Sequence, residues 1–180
     1  MALDAEPNDR LGVSVGLAGD AVLAGAPFEN ALGIRAGALY AFSASGTAFP
    51  SLSASPAALS VGAGGVQALA LGSCEQHAGW LYVVVGSLSG TAPGLALGAV
   101  TLPLNPDPYL LYTATHAGAA PLAGGLGTLD AGAAAHASFV LPAGAFPGLA
   151  GLAAHHAYVV ISPGGAVMFA SVAAPLLFLP

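Results

Sequence analysis

The sequence predicts an all-β protein whose larger part is an antiparallel β-sandwich. The chain contains 26 glycines and 14 prolines in 180 residues, and these residues separate many short apolar runs, as in sandwiches and barrels. The longest nearly uncharged stretch is Gly79–Leu104. It begins with the apolar run Trp80–Val85, which is typical of a strand buried on both faces, and a second apolar run, Leu95–Leu104, follows a turn-rich loop. We expect these two strands to form the centre of the domain.

The region from Ala57 to Pro180 repeats this pattern of short strands and turns. Its turns carry glycine, proline and aspartate, which favour tight changes of chain direction. The predicted strands are Ala58–Val61, Val66–Leu71, Gly79–Gly86, Leu95–Leu102, Tyr109–Thr115, Ala133–Leu141, His156–Ser162, Ala166–Ser171 and Leu176–Leu179.

Alternation of apolar and polar residues is clearest in Ala133–Leu141. Successive side chains of a strand point to opposite faces of the sheet. One face of this strand should therefore point into the core, and the other should carry His136 and Ser138. The predicted inward residues are Ala135, Ala137, Phe139 and Leu141.

Residues 8–42 contain a separate group of short strands. The predicted strands are Leu11–Leu17, Ala21–Ala26 and Ala38–Phe42. The turn Ala18–Asp20 has the character of a β-hairpin turn, and the loop 27–36 carries proline, asparagine and glycine.

This segment resembles an FG-GAP repeat, the blade unit of integrin-α-type β-propellers. The resemblance implies a single propeller-blade-like unit that forms part of a propeller. The segment departs from the family pattern because Leu11 replaces the usual Phe and Ala41 the usual Val. The acidic calcium loop of many such repeats is absent, so the family's calcium site is not carried over. The matching positions are Asp9-Arg10-Leu11-Gly12, Ser14-Val15, Gly19-Asp20, Gly25-Ala26-Pro27 and Gly37–Phe42.

The composition predicts three parts: a blade-like domain over 1–49, a Ser- and Pro-rich linker over 50–56, and a C-terminal β-sandwich domain over 57–180. The last part is similar to an uncharacterised C-terminal β-domain that follows repeat arrays in secreted bacterial proteins. That resemblance implies the C-terminal part of a larger FG-GAP repeat protein and brings no activity with it. It is carried by Gly86–Gly94, Leu102–Leu104, Leu129–Ala131, Leu141–Gly144 and His155–Val159.

Charge and hydropathy exclude several classes of protein. The net charge is −6, and Arg10 and Arg35 are too few cations to follow a nucleic-acid backbone. The mean hydropathy is +0.81, but glycine, proline or serine interrupts every apolar run before the roughly 20 residues of a spanning helix. Met1–Pro7 lacks the basic and apolar regions of a signal peptide. We expect an extracellular or cell-surface chain that is a fragment of a larger protein or has a truncated start.

The residues Gly12–Gly16 satisfy the G-x-S-x-G pattern of a nucleophilic serine. A nominal triad would combine Ser14 with Asp130 and His155. A nucleophile elbow requires a strand, a sharp turn and a helix, whereas Ser14 lies within a predicted strand of the blade motif. A strand serine is therefore the favoured interpretation.

The histidines and the single cysteine give no metal or redox motif. Adjacent histidines of a strand point to opposite faces, so His155 and His156 should sit at a strand edge, with one ring packed and the other solvated. Cys74 has no partner for an internal disulfide and is expected to be a small buried or half-buried thiol. His77 lies three residues away, but Glu75 between them opposes a lowered thiol pKa. The remaining histidines are His116 and His136.

These observations predict a non-catalytic module for adhesion or for binding a protein or glycan. We expect no catalytic residue, cofactor or metal, and we expect Trp80 to be a core residue rather than a sugar-stacking platform. The alternatives are a hydrolase with Ser14 as nucleophile or a histidine-bound metal, and a purely structural terminal domain for folding or export. Open strand edges of an unclosed blade favour a missing N-terminal segment or self-association.

Overall fold

The computed structural model describes residues 13–18, 21–27, 38–43 and 51–180. The chain divides into two compact units, Met1–Phe49 and Pro50–Pro180. Strands make up most of the described secondary structure, so the all-β prediction is confirmed. The predicted turn at Gly19-Asp20 and most of the 27–36 loop lie outside the described residues, as do Arg10 and Arg35.

The first unit contains a three-stranded antiparallel sheet of β1 (Ser14–Ala18), β2 (Ala21–Ala26) and β3 (Ala38–Ser43), in that order. The three predicted strands are confirmed. Ser14 is paired with Gly25 across the first hairpin, and the Ser14 Oγ occupies the space that a side chain at residue 25 would need. A glycine at this position therefore lets the two strands pair.

The second unit is built from two larger sheets, a small hairpin and one helix. The first sheet contains β4 (Leu52–Ser55), β6 (Gly65–Gly72), β10 (Leu122–Ala123) and β12 (Ala134–Leu141). The second contains β5 (Ala58–Ser60), β7 (Leu81–Ser87), β11 (Leu126–Thr128), β13 (Ala153–Ile161), β14 (Val167–Ala170) and β15 (Ala174–Leu179). The hairpin is β8 (Leu95–Leu97) with β9 (Val100–Leu102), and the helix is α1 (Pro108–Thr115).

The two larger sheets pack face to face around one core, as a sandwich requires. Their strand orders are β10-β12-β6-β4 and β11-β7-β13-β15-β5, with β14 paired to β13. Leu69 and Phe139 of the first sheet share the core with Tyr158 and Phe178 of the second. The alternation predicted for β12 is confirmed because Ala137, Phe139 and Leu141 are buried.

Strand β7 is covered on both faces, as predicted. Val84 faces the main core, whereas Val85 belongs to a second apolar cluster. Leu102 and Leu104 belong to this second cluster as well. The hairpin β8–β9 and the segment after it therefore shield the outer face of β7.

The segment Tyr109–Thr115, predicted as a strand, is instead part of helix α1. Asp107 precedes the helix, and its Oδ1 accepts a hydrogen bond from the Leu110 N–H at 2.7 Å. Pro108 occupies the first turn, where its missing N–H costs nothing. The cap and the proline start a helix, and this local preference outweighs the β propensity of the tyrosines and threonines.

Two further predictions about the sandwich need correction. Leu95–Leu102 is not one strand but the hairpin β8–β9, because Gly98 adopts a positive φ of 69° at the turn. The sheet of β7 is not wholly antiparallel, because β5 and β15 pair in parallel.

The predicted linker 50–56 contains strand β4, which pairs with β6 from Leu52 to Ser55. Leu52 is 4% exposed, while Ser53 and Ser55 are exposed on the other face. The alternation of apolar and polar residues over this stretch fits an edge strand, although its composition is that of a linker.

Candidate functional site

The second unit contains a cavity of about 560 Å³, within the usual range for ligand pockets. None of its lining residues carries a charge. Five of them are aromatic: Tyr109, Tyr112, Phe139, Phe146 and Phe178.

The cavity lies at one end of the sandwich. Leu88 directly follows β7, Phe139–Leu141 ends β12, and Phe178 is next to last in β15. Helix α1 adds Tyr109 and Tyr112, which are three residues apart and hence on one helical face. The cavity is therefore assembled from strand ends of both sheets and from the helix.

A buried histidine contacts the aromatic lining. The Tyr109 hydroxyl lies 3.1 Å from Nε2 of His156, and the rings of His156 and Phe139 are 5.1 Å apart. His156 is 0% exposed, and its Nδ1 has no hydrogen-bond partner. An unpaired buried polar atom is costly and uncommon in folded proteins.

Burial keeps both members of this pair neutral. Burial, with a smaller contribution from neighbouring His155, lowers the pKa of His156 to about 4. Burial also raises the pKa of Tyr109 far above its usual value, and the nearby Asp107 carboxylate adds to the shift. At neutral pH the pair is thus an uncharged hydrogen bond beside an uncharged cavity.

Gly86 of β7 makes room for this pair. A Cβ at residue 86 would overlap Cε1 of Tyr109 and approach Cδ2 of His156 to 2.9 Å. The Gly86 N–H also donates to Oγ1 of Thr113 at 3.1 Å. The absent side chain and this hydrogen bond together hold α1 against the end of β7.

Asp107 ties the end of β7 to the start of α1. Its Oδ2 accepts hydrogen bonds from the Leu88 N–H (2.6 Å) and the Ser89 N–H (2.9 Å), and from the Ser87 and Ser89 hydroxyls (2.9 and 3.1 Å). Burial raises the pKa of Asp107, but hydrogen bonds from the Leu110 and Leu88 amides and these hydroxyls outweigh it, so the pKa lies below its usual value. The carboxylate is therefore stabilised in its charged form.

We expect Asp107→Ala to destabilise the second unit by about 2 kcal/mol, because the helix cap and several charge-assisted hydrogen bonds are lost. Urea unfolding followed by the fluorescence of Trp80, the one tryptophan of the chain, measures this. The matched control is Glu75→Ala, which removes an exposed acid of the same unit and should change the stability by less than about 0.5 kcal/mol. Equal effects of the two substitutions would contradict the role given to Asp107.

The first unit provides the comparison with known proteins. Its β1–β2–β3 meander places Ser14 over Gly25 within the motif residues of the blade. Residues 1–42 match the FG-GAP repeat family. The FG-GAP resemblance is thereby confirmed for this segment, and such repeats are typical of extracellular proteins and in general non-enzymatic.

The FG-GAP repeat covers 42 of the 180 residues. No curated protein and no solved structure matches the chain. The resemblance of 57–180 to a C-terminal β-domain of secreted bacterial proteins stays a prediction. In the described part of the chain, no helix is both long and apolar enough to cross a membrane.

Ser14 does not lie in the strand–turn–helix geometry of a nucleophile elbow. Ser14 begins strand β1 of the FG-GAP repeat, is exposed and packs over Gly25. A nucleophile elbow would place the serine between a strand and a helix. A strand serine accounts for the G-x-S-x-G pattern.

The other two members of the nominal triad lie at opposite ends of β7. Thr128, two residues before Asp130, pairs with Leu81, whereas His155 pairs with Ser87. Six residues of strand correspond to about 20 Å. The Asp130 carboxylate instead accepts hydrogen bonds from the N–H groups of residues 132 and 134 in the turn before β12.

The five histidines are dispersed. His155 and His156 point to opposite faces, but β13 is an interior strand and not an edge, because β7 and β15 flank it. His136 is exposed on β12, and His116 stacks on Tyr112 with ring centroids 4.4 Å apart. Within residues 13–18, 21–27, 38–43 and 51–180, no three His, Cys, Asp or Glu side chains converge as metal ligands would.

Cys74 is exposed, contrary to the prediction of a buried or half-buried thiol. It stands at the N-cap position of a short 3₁₀ turn, and its Sγ lies 3.3 Å from Nδ1 of His77. That ring is itself buried, is hydrogen-bonded to Ser73 at 2.6 Å and packs 4.8 Å from the ring of Trp80. Trp80 is half-buried and packs against the main core without being one of its fully buried residues.

Sequence reasoning missed the cavity because it assigned Tyr109 and Tyr112 to a strand. In a strand these residues would point to opposite faces of the sheet, whereas in α1 they lie on the same face of the helix. The sequence Asp107-Pro108 contains the signal that was overlooked, an N-cap residue followed by proline at the first helical position. An interpretation of this signal as the start of a helix would have placed both tyrosines on one face of that helix.

Proposed function

We propose that the chain is a non-catalytic extracellular adhesion or binding module, the C-terminal part of a larger FG-GAP repeat protein, whose second unit binds a protein or glycan ligand. The observation that carries this proposal is the aromatic-lined cavity of about 560 Å³. The FG-GAP match supports an extracellular setting.

The lining of the cavity is suited to binding rather than to catalysis. It consists of aliphatic and proline side chains, three phenylalanines and two tyrosines. Hydrolytic catalysis needs a nucleophile or activated water beside a base. Tyr109 is half-buried and lines the cavity, whereas His156 is fully buried, and the hydrogen bond between the two neutral side chains fixes the cavity wall.

The binding site is tested with Nile red, an uncharged apolar dye that fluoresces when it leaves water. We expect one dye to bind per chain and Val140→Asp to weaken binding at least tenfold, because an apolar ligand would desolvate the new carboxylate. Val66→Asp is the matched control, since Val66 is the exposed cross-strand partner of Val140 and lies outside the lining.

Dye binding that Val140→Asp leaves unchanged, or an absence of dye binding, would remove the cavity from the proposal. A purely structural terminal domain would then be the better interpretation. The hydrolase alternative is tested by hydrolysis of p-nitrophenyl butyrate. We expect the same background rate for the unmodified chain and for Ser14→Ala, and a rate abolished by Ser14→Ala would overturn the non-catalytic assignment.

A further inference from the structure

We infer that the cavity receives an uncharged apolar side chain, aromatic or large aliphatic, from a protein ligand, and that it is not a glycan site. This inference rests on the proposed function, because it identifies the ligand of the same cavity. Three observations support it. The second unit has few charged side chains, the polar side chains of the lining are already hydrogen-bonded, and several apolar side chains of the lining are exposed to solvent.

The second unit offers no counter-charge to an ionised ligand. Residues 50–180 contain no lysine or arginine, and their acidic residues are Glu75, Asp107 and Asp130. The acid nearest the cavity in sequence, Asp107, is already engaged by Leu110 and by residues 87–89. A charged group placed in the cavity would lose its hydration without gaining a partner, so the anchoring group of the ligand is uncharged.

The lining also lacks the hydrogen-bonding groups that a sugar requires. Its polar side chains are those of Tyr109 and Tyr112. The Tyr109 hydroxyl is paired with His156, and the Tyr112 hydroxyl donates to the carbonyl of Ala120 at 3.4 Å. Sugar hydroxyls buried here would stay unpaired, at a cost of about 1–3 kcal/mol each in proteins. A glycan is therefore a poor occupant.

The apolar surface continues outward from the cavity. Four of its large apolar or aromatic lining side chains are exposed and form an apolar rim: Leu88 by 38%, Tyr112 by 45%, Val140 by 36% and Phe146 by 54%. A small free molecule enclosed in the cavity would leave this rim in water. A protein ligand covers it with the residues that flank its anchor, in the arrangement of a central apolar hot spot with a surrounding seal.

Synthetic peptides Gly-Ser-Gly-X-Gly-Ser-Gly with blocked termini test the inference on the full chain, through competition with Nile red. We expect X as Phe, Trp or Leu to displace the dye at concentrations at least about tenfold lower than X as Ser, Lys or Glu, as the burial of a large apolar side chain implies. Neutral oligosaccharides form the second arm and are expected not to displace the dye.

Two surface variants distinguish binding in the cavity from nonspecific hydrophobic binding elsewhere on the protein surface. Phe146→Ser should weaken the binding of the Phe peptide at least about fivefold. Met168→Ser, at a site of similar exposure outside the lining (52% against 54%), should leave it unchanged. Equal loss in both variants would overturn the assignment to the cavity.

The other outcomes separate this inference from the proposed function. Dye binding without peptide competition would overturn the protein ligand and leave the cavity as a site for a free small molecule. Displacement by oligosaccharides would overturn the apolar anchor while the binding function stands. If neither dye nor peptide binds, the proposed function and the inference fail together.

Discussion

Replacing Gly86 by alanine is expected to destabilise the second unit by about 3 kcal/mol. The new Cβ would overlap the Tyr109 ring and lie 2.9 Å from the ring of His156. His156 is fully buried and its ring cannot move without disturbing the core around it, so the Tyr109 ring has to be displaced, and overpacking of this kind costs about 1–3 kcal/mol. Displacing Tyr109 also distorts the cavity, so the affinity for Nile red should fall with the stability. Urea unfolding followed by Trp80 fluorescence measures the first effect, and a dye titration measures the second.

The matched control is Gly72→Ala, at a strand glycine of β6 where a new Cβ meets no atom within 4 Å. We expect a change of less than about 0.5 kcal/mol and unchanged dye affinity for this variant. If Gly86→Ala were as mild as Gly72→Ala, the packing of α1 against β7 described above would be wrong.

Acid is expected to destabilise the second unit by about 3 kcal/mol between pH 6.5 and pH 4. Burial and the neighbouring His155 lower the pKa of His156 from the ordinary histidine value of 6.5 to about 4 in the folded chain. Below pH 6.5 the unfolded chain binds a proton that the folded chain refuses, so the stability contributed by neutral His156 is complete above pH 6.5 and falls with the pH until about 4. Each pH unit within this window corresponds to about 1.4 kcal/mol. The free energy of unfolding, measured at intervals of pH across the window, checks this.

His156→Phe separates this effect from other acid-sensitive groups. Phenylalanine keeps an aromatic ring beside Phe139 and cannot be protonated, so most of the loss between pH 6.5 and pH 4 should disappear, although the hydrogen bond to Tyr109 is lost at every pH. Burial also lowers the pKa of His77, so part of the slope should remain. Asp107, whose pKa lies below its usual value, contributes stability that is lost only under more acidic conditions. An undiminished slope in His156→Phe would contradict the neutral, buried state of this histidine.

The elements that sequence analysis identified correctly are those specified by local, periodic patterns. Alternation along β12 placed Phe139 inward, and the uninterrupted apolar run of β7 indicated burial on both faces. The motif residues of the first unit identified the FG-GAP repeat. The sequence interpretation failed where it rested on composition or propensity instead: the serine-rich stretch of β4 has the composition of a linker, and the tyrosines of α1 have the propensity of a strand.

The sequence by itself thus determined the all-β class, the blade-like first unit and the near absence of charge in the second. Only the tertiary structure decided the cavity, because it brings together the ends of strands from two sheets, helix α1 and the segment after β12, which come from separate parts of the sequence. It also decided that His156 is buried, since that depends on β13 lying between β7 and β15. Periodicity determines which face of a strand a side chain occupies. The neighbours across the strands depend on the order of the strands in the sheet, which is set by long-range packing.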